Sequence, residues 1–264
     1  MRLGGHDALR ERPGALLDSK TCRVWTTTCA GAPPEEDLLA DLDATETARA
    51  ARFHHPADRR RFVTGRAGLR RVLARSLCRD AASLRFSYGA LGKPALVREP
   101  GSPDVRFNVS HAGDLVVWAL AVGDDVGVDV EQVNPGPVDP DLVRAALSMG
   151  ERARLVTMDE ADAADGFATC WTAKEAYAKA LGLGLAVDFR SLDVLPSLER
   201  GGRVTVPATE TGASVVVRTL PAPPGYRLAL ASVASAAGCT VTVEPFRWDG
   251  DPYAGDPRTG GAPQ

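Results

Sequence analysis

A chain of 264 residues, with 44% hydrophobic and 25% charged residues and a net charge of −3, is long enough to bury one large core or two small ones. The nearly balanced charge argues against a dedicated nucleic-acid binder, and no apolar run of about 18 residues offers a transmembrane helix. Five scattered cysteines without a CxxC pair, four histidines with no metal-ligand spacing and an N-terminus lacking an apolar leader (MRLGGHDALRERPG) fit a cytoplasmic protein with reduced thiols.

The first 20 residues and the segment 246–264 are rich in Gly, Pro and charge and are expected to be disordered. CRVWTTTC (22–29) reads as a first strand. Helical patterning begins near Glu35 and again from Pro56, where Phe62, Leu69, Val72, Leu73 and Leu77 recur at helical spacings. Short strands at 84–88 and 95–97 flank a GALGKP turn. Three strands follow at 105–110, 115–122 and 126–130, the last two joined by a short GDD turn that reads as a hairpin. A helix is expected over 140–147, then a polar stretch. A longer helix runs from Asp165 to Leu181 and is closed by Gly182, with strands near 204, 214–219, 226–232 and 240–243. Each half pairs a long helix with short strands. The pattern predicts an α+β fold of two similar subdomains, each a small, mainly antiparallel sheet packed with a long helix, divided as 21–123 and 124–245.

Charge is spread unevenly. Nine arginines but one acid, Asp58, lie between Arg49 and Arg75, which fits either a solvated helix face or a surface for a phosphorylated cofactor. Only four lysines stand against 27 arginines, and three of them, Lys93, Lys174 and Lys179, fall in the segments that carry chemistry.

The first of these segments is DDVGVDVE (124–131). Val126, Val128 and Val130 share one strand face, and Asp125, Gly127, Asp129 and Glu131 share the other. Asp129 and Glu131 stand about 6–7 Å apart at the backbone, so one ion can reach both, although an edge strand with its polar face in water has the same pattern. In the second, FATCWTAKEAYAKALGLGL, residues Trp171, Glu175 and Lys179 share a helix face bordered by Lys174. A solvated Glu–Lys pair fits that spacing, and so does an inward-facing site. Ser110 and His111 end a strand in FNVSHAG, where GxSxG is missing, so oxyanion donors are expected rather than a hydrolase nucleophile. Lys93 is expected to present an ammonium from its Gly-Lys-Pro turn. All-oxygen acidic ligands suit Mg²⁺ together with phosphate oxygens, and no Walker loop or GxGxxG cradles a phosphate instead.

Gly127-Val-Asp129-Val-Glu131, followed about 40 residues later by Trp171-Thr-Ala-Lys174-Glu175-Ala-Tyr-Ala-Lys179, resembles the 4′-phosphopantetheinyl transferase superfamily. Gly92-Lys93-Pro94, Phe107-Asn-Val-Ser110-His111 and the helix from Arg52 match in order and spacing. Length and layout are similar to the surfactin-synthetase-activating type, a monomeric pseudodimer. The resemblance implies an enzyme that moves the phosphopantetheine arm of coenzyme A to a serine of an apo acyl or peptidyl carrier protein, with Mg²⁺, releasing adenosine 3′,5′-bisphosphate. It also implies polyketide or non-ribosomal peptide carriers as partners, and neither nucleic acid nor membrane. Asp129, Glu131 and Glu175 would hold Mg²⁺, Glu175 would take the serine proton directly or through water, and Lys179 would balance phosphoryl charge. Arg49, Lys93, Ser110, His111 and Lys174 would contact the cofactor. Two positions depart from the family pattern, Glu46 where some relatives carry Lys and Phe62 where some carry a hydroxyl. Two alternatives stand beside this reading. One is another Mg²⁺-dependent phosphoryl transferase; the other is a non-catalytic coenzyme A or carrier-binding module, which need not keep all three acids and Lys179.

Overall fold

The computed structural model describes residues 19–89, 92–198, 202–207, 214–234 and 239–249. The first half of the chain forms β1 (Thr21–Thr28), α1 (Glu35–Leu39), α2 (Ala44–Ala50), α3 (Pro56–Leu77), β2 (Phe86–Tyr88), β3 (Pro94–Leu96), β4 (Val105–Ala112) and β5 (Leu115–Val122). The second half forms β6 (Val126–Gln132), α4 (Pro140–Ala146), α5 (Met149–Leu155), α6 (Glu160–Leu181), α7 (Leu195–Leu198), β7 (Arg203–Pro207), β8 (Ser214–Leu220), β9 (Tyr226–Ala234) and β10 (Thr240–Pro245).

Two four-stranded sheets organise the molecule, ordered β10-β1-β5-β4 and β6-β9-β8-β7. Pairing is antiparallel except between β1 and β10. Each sheet carries one 22-residue helix. Helix α3 starts on Pro56, whose fixed φ suits a first helical turn, and buries Leu69, Val72 and Leu73 against Trp25, Val116 and Trp118. Gly68 is required there: a Cβ would fall 2.1 Å from the Trp118 ring, whose Nε1 donates to the Gly65 carbonyl at 2.8 Å. Helix α6 is capped by the Asp159 side chain at one end and by Gly182, with φ of 68°, at the other. Its alanine-rich face packs on Val215, Val217, Ala229 and Ala231. A third core joins the sheets, with Cys22, Val24, Val117 and Ala119 from one and Val126, Val128, Val130, Leu228 and Leu230 from the other. This is the α+β pseudodimer the sequence predicts.

Several local readings are corrected. Strands β5 and β6 do not form a hairpin: the GDD turn carries the chain from one sheet to the next, β5 pairs with β1 and β4, and β6 pairs with β9. The polar stretch after α4 contains α5, opened by a Ser148–Glu151 capping box, and α6 begins at Glu160 rather than Asp165. The C-terminal strand β10 returns to the first sheet beside β1 instead of completing the second subdomain. Beyond it, where disorder was expected, Phe246 is buried and packs with Trp248 on Trp118 at centroid distances of 4.9 and 5.2 Å. The rest of the expected disordered stretches, 1–18 and 250–264, lies outside the described residues.

A candidate active site where two edge strands meet

The edge strands β4 and β6 lie side by side, and side chains take the place of a backbone ladder between them. Asn108 Oδ1 accepts from Val128 N at 2.9 Å, and Ser110 Oγ accepts from Val130 N at 3.4 Å. Alternate N–H groups of β6 are thereby satisfied, and Asp129 is held between them, next to β4.

The second arm of the site is α6. Gly127 shares the strand face of Asp129 and Glu131, and a Cβ there would lie 2.1 Å from the Ala176 carbonyl oxygen and 2.3 Å from Ala180 N. The missing side chain lets helix backbone rest on strand backbone, which brings Lys179 to Asp129. Lys179 Nζ lies 2.5 Å from Asp129 Oδ1 and 3.1 Å from Ser110 Oγ, and Ser110 Oγ donates to the same carboxylate oxygen at 2.8 Å. Glu131 Oε1 accepts from Trp171 Nε1 at 3.0 Å, while the Trp171 ring is wedged between Phe167 and Phe189. Glu175, half-buried, makes no hydrogen bond or ion pair with any described residue.

The electrostatics call for more positive charge than Lys179 supplies. Burial pushes the Asp129, Glu131 and Glu175 carboxyls above the ordinary range, and the Asp129 charge pushes the other two further. Asp129 is only 2% exposed, and its Oδ2 is a buried atom without a hydrogen-bond partner. As the side chains stand, no three His, Cys, Asp or Glu groups among the described residues converge on a single point. Lys179 claims Oδ1 and leaves Oδ2 available. An orphaned carboxylate oxygen beside two further half-buried acids is the donor chemistry of a hard divalent cation such as Mg²⁺.

The other expected contacts divide. Ser110 lies within the site, and His111 follows it at the exposed end of β4. Partial enclosure holds the His111 pKa down, with the charges of Arg61 and Lys179 adding to the effect. Arg49 is exposed at the end of α2, its guanidinium 5.2 Å from the Phe62 ring, and makes no hydrogen bond or ion pair with the acids.

Lys174 is corrected outright. It is completely buried on another face of α6, where its ammonium spends its donors on Glu151, the Ala146 carbonyl at 2.9 Å and the Phe189 carbonyl at 2.9 Å. Lys93 also spends its donors on protein. It binds the Lys179, Ala180 and Val126 carbonyls at 2.6, 3.1 and 3.4 Å, fastening the turn before β3 to the carbonyl end of α6. It lines a cavity of about 560 Å³ together with Arg106, Phe107, Asp125 and Gly182. Asp125, without a role in the sequence reading, pairs with Arg106 at 3.2 Å.

The arginine-rich helix is mostly occupied with structure. Arg59 pairs with Glu35, Arg60 caps the Cys29, Ala32 and Pro33 carbonyls, and Arg71 pairs with Asp41. Arg66 and Arg70 converge on Glu46, which is 2% exposed and closes the α2 capping box. Glu46 therefore has a structural reason to stand where a phosphate-binding lysine was expected. Asn108 and Gly127 were missed as contributors to the site. Asn108 lies inside the quoted FNVSH motif and alternates with Ser110, a signal that both face the same neighbour; Gly127, on the strand face of the acids, makes room for α6.

Comparison with known proteins identifies the family. The family model described as "4'-phosphopantetheinyl transferase, N-terminal" matches residues 33–122, and that of the "4'-phosphopantetheinyl transferase superfamily" matches 125–231. The chain is 28% identical to the 4′-phosphopantetheinyl transferase Sfp of Bacillus subtilis over 195 residues, covering 74% of this chain and 84% of that one. It is 30% identical to the transferase ffp of Bacillus subtilis over 73% of this chain and 83% of the relative. With HetI of Nostoc sp. it shares 32% over 69% and 77%, respectively. A solved holo-[acyl-carrier-protein] synthase (AcpS) of Thermotoga maritima aligns over 42% of this chain and 64% of its own, at 19% identity and a TM-score of 0.29. The chain belongs to the 4′-phosphopantetheinyl transferase superfamily, in the group that includes Sfp, and its reaction is phosphopantetheinyl transfer to carrier proteins.

Proposed function

We propose that the seam between β4, β6 and α6 is the active site, and that Asp129, Glu131 and Glu175 hold Mg²⁺ there against the pyrophosphate of coenzyme A. The observation that carries this reading is the unpartnered, buried Asp129 Oδ2 among three carboxyls whose burial disfavours their ionised forms. When bound, Mg²⁺ supplies charge neutralisation at the pyrophosphate oxygens.

The chain's own groups do the rest. Ser110 and Lys179 fix the Asp129 carboxylate, and the Lys179 ammonium then faces the charge that develops on the transferring phosphoryl group. Trp171 sets the direction of Glu131. Glu175, uncommitted to any other described side chain, takes the proton from the carrier serine, directly or through water. The serine oxygen bonds to phosphorus as the bond to adenosine 3′,5′-bisphosphate breaks. His111, with Arg61 beside it, and the exposed Arg49 are the phosphate contacts toward the nucleotide end. Lys93 anchors the end of α6 and reaches coenzyme A only by giving up its carbonyl partners.

The carrier approaches over residues 135–165, where Leu142, Met149 and Val156 are 38%, 81% and 85% exposed. One chain supplies both halves of the pseudodimer, so the active form is a monomer. A cytoplasmic location fits its five scattered cysteines without a CxxC pair. No helix among the described residues is long and apolar enough to cross a membrane.

Incubation with coenzyme A, Mg²⁺ and an apo carrier protein should add one phosphopantetheine to the carrier, read by intact mass. A panel of polyketide, peptide and fatty acid carriers will show which class is served. Tight coenzyme A binding with no mass gain on any carrier would favour the binding module instead.

A further inference from the structure

Two of the five cysteines lie together, on neither β6 nor α6, the elements that carry the three acids. Cys22 is in β1 and Cys239 directly precedes β10, the strand that pairs with β1 in parallel; Cys22 is level with Val241, and Thr240 N donates to the Lys20 carbonyl at 2.8 Å. Residues 22, 239 and 241 all pack in the core between the sheets, so the two sulfurs face the same space. The neighbouring Cys22 thiol, helped by Arg218, pulls the Cys239 pKa down, while Cys239 and burial push the Cys22 pKa up; the Cys239 thiol itself donates to the Thr240 carbonyl at 3.3 Å. Cys22 is 1% exposed, whereas Cys239 is partly exposed, so a reagent reaches the latter first.

We propose that Cys22 and Cys239 form an oxidisable dithiol whose disulfide staples the C-terminal strand β10 to β1. The oxidant class is a low-molecular-weight disulfide. The Cys239 thiol gives its proton to water, and the thiolate attacks one sulfur of R–S–S–R, forming a mixed disulfide and releasing RS⁻. That thiolate takes the Cys22 proton. The Cys22 sulfur then attacks Cys239 Sγ and expels the second RS⁻, which is protonated from water. Protein loses two electrons and two protons, and the reagent leaves as two thiols.

The staple acts on a segment that closes the first subdomain. Beyond β10, Phe246 and Trp248 cover Trp118, Arg75 and Arg71 lie over their rings at 5.3 Å each, and Trp248 Nε1 donates to Thr27 Oγ1 at 3.1 Å. Fraying of β10 would uncover that aromatic cluster, and a covalent tie at the residue that precedes it opposes fraying. The Asp129 carboxylate and its partners lie on β4, β6 and α6, none of which carries either cysteine.

The test uses the full chain carrying Cys78→Ser, which removes the exposed cysteine, treated with oxidised glutathione. Expected are an intact mass lower by two hydrogens, a non-reduced peptide joining Cys22 to Cys239, a midpoint of thermal unfolding raised by roughly 5–15 °C and reversed by dithiothreitol, and an unchanged kcat. Adding Cys239→Ser should abolish the mass loss and the thermal shift while leaving kcat alone. A stable glutathione adduct on Cys239 without the cross-link, a cross-link between other cysteines, or an unmodified protein would each overturn the proposal. Because the reading rests on thiol positions alone, its failure leaves the transferase site untouched.

Discussion

Gly127→Ala tests whether the active site depends on backbone contact between β6 and α6. The added methyl would sit 2.1 Å from the Ala176 oxygen, 2.3 Å from Ala180 N and 2.9 Å from the Lys179 carbonyl carbon. All three are main-chain atoms of a hydrogen-bonded helix, so none can rotate away. A relaxed contact needs about 3.5 Å, and the helix must therefore retreat by more than about 1 Å. Overpacking of this kind costs about 3 kcal/mol, read as a lower urea midpoint. Lys179 and Glu175 move with the helix, and a misplacement of about 1 Å reduces turnover by roughly 100-fold. Gly123→Ala is the matched control: no atom lies within 4 Å of its Cβ, but its φ is +83°, so it should lose only about 1 kcal/mol to backbone strain and keep its rate. Both quantities come from one preparation, with urea unfolding followed by fluorescence and carrier modification by mass. A Gly127→Ala protein with wild-type stability and rate would refute the close-approach argument.

Glu175→Gln should abolish carrier modification with an unchanged melting temperature, since the side chain has no described partner to lose; a retained rate would remove it as the base. Asp129→Ala should leave residual activity unresponsive to added Mg²⁺, and an unchanged titration would contradict its place as a ligand. Lys174→Met strands the fully buried Glu151 and should destabilise by about 3–5 kcal/mol without raising KM for coenzyme A; a raised KM in a stable protein would restore the cofactor role. The acids have raised folded pKa values, so without metal their contribution falls as pH rises from the unfolded carboxylate range through the folded values, because only the folded state resists ionisation. Mg²⁺ should therefore raise the melting temperature more at about pH 8 than at about pH 5, and an equal shift at both would sink the three-carboxylate site.

What could be read from the sequence was local. The alternation in VGVDV placed Asp129 and Glu131 opposite the valine core, and the i, i+4, i+8 spacing of Trp171, Glu175 and Lys179 placed them on one helix face; both hold because each depends on the geometry of a single element. Pairing over long separations leaves no such trace. Nothing local in TVTVEP says that Val241 sits beside Cys22, and the GDD turn between two apolar strands looks the same whether they pair or part. The charges misled for another reason. Five arginines of α3 (59, 60, 66, 70 and 71) look like part of a polyanion surface until folding brings Glu35, Asp41, Asp43, Glu46 and three loop carbonyls to them. Lys174 was separable by geometry, because it lies one residue from Glu175 and so points about 100° away from the active stripe; only the motif drew it into the site.

The junction explains why the acids sit on a sheet edge at all. An edge strand has free N–H groups, which natural proteins cover or pair. Here β6 has two of them covered by Asn108 and Ser110 of β4, so the subdomains are joined without a continuous backbone ladder. That leaves the strip between the sheets lined by side chains, and a pyrophosphate can be met there by carboxylates, an ammonium and a hydroxyl at once. A continuous ladder would bring the strands to about 4.8 Å and close the strip. Ser110 serves both ends of the arrangement: its oxygen accepts from the β6 backbone and its proton goes to Asp129 Oδ1, so the contact that joins the halves also turns the carboxylate and leaves Oδ2 without a protein partner. In this fold, the interface between the two subdomains and the proposed catalytic centre are the same set of atoms.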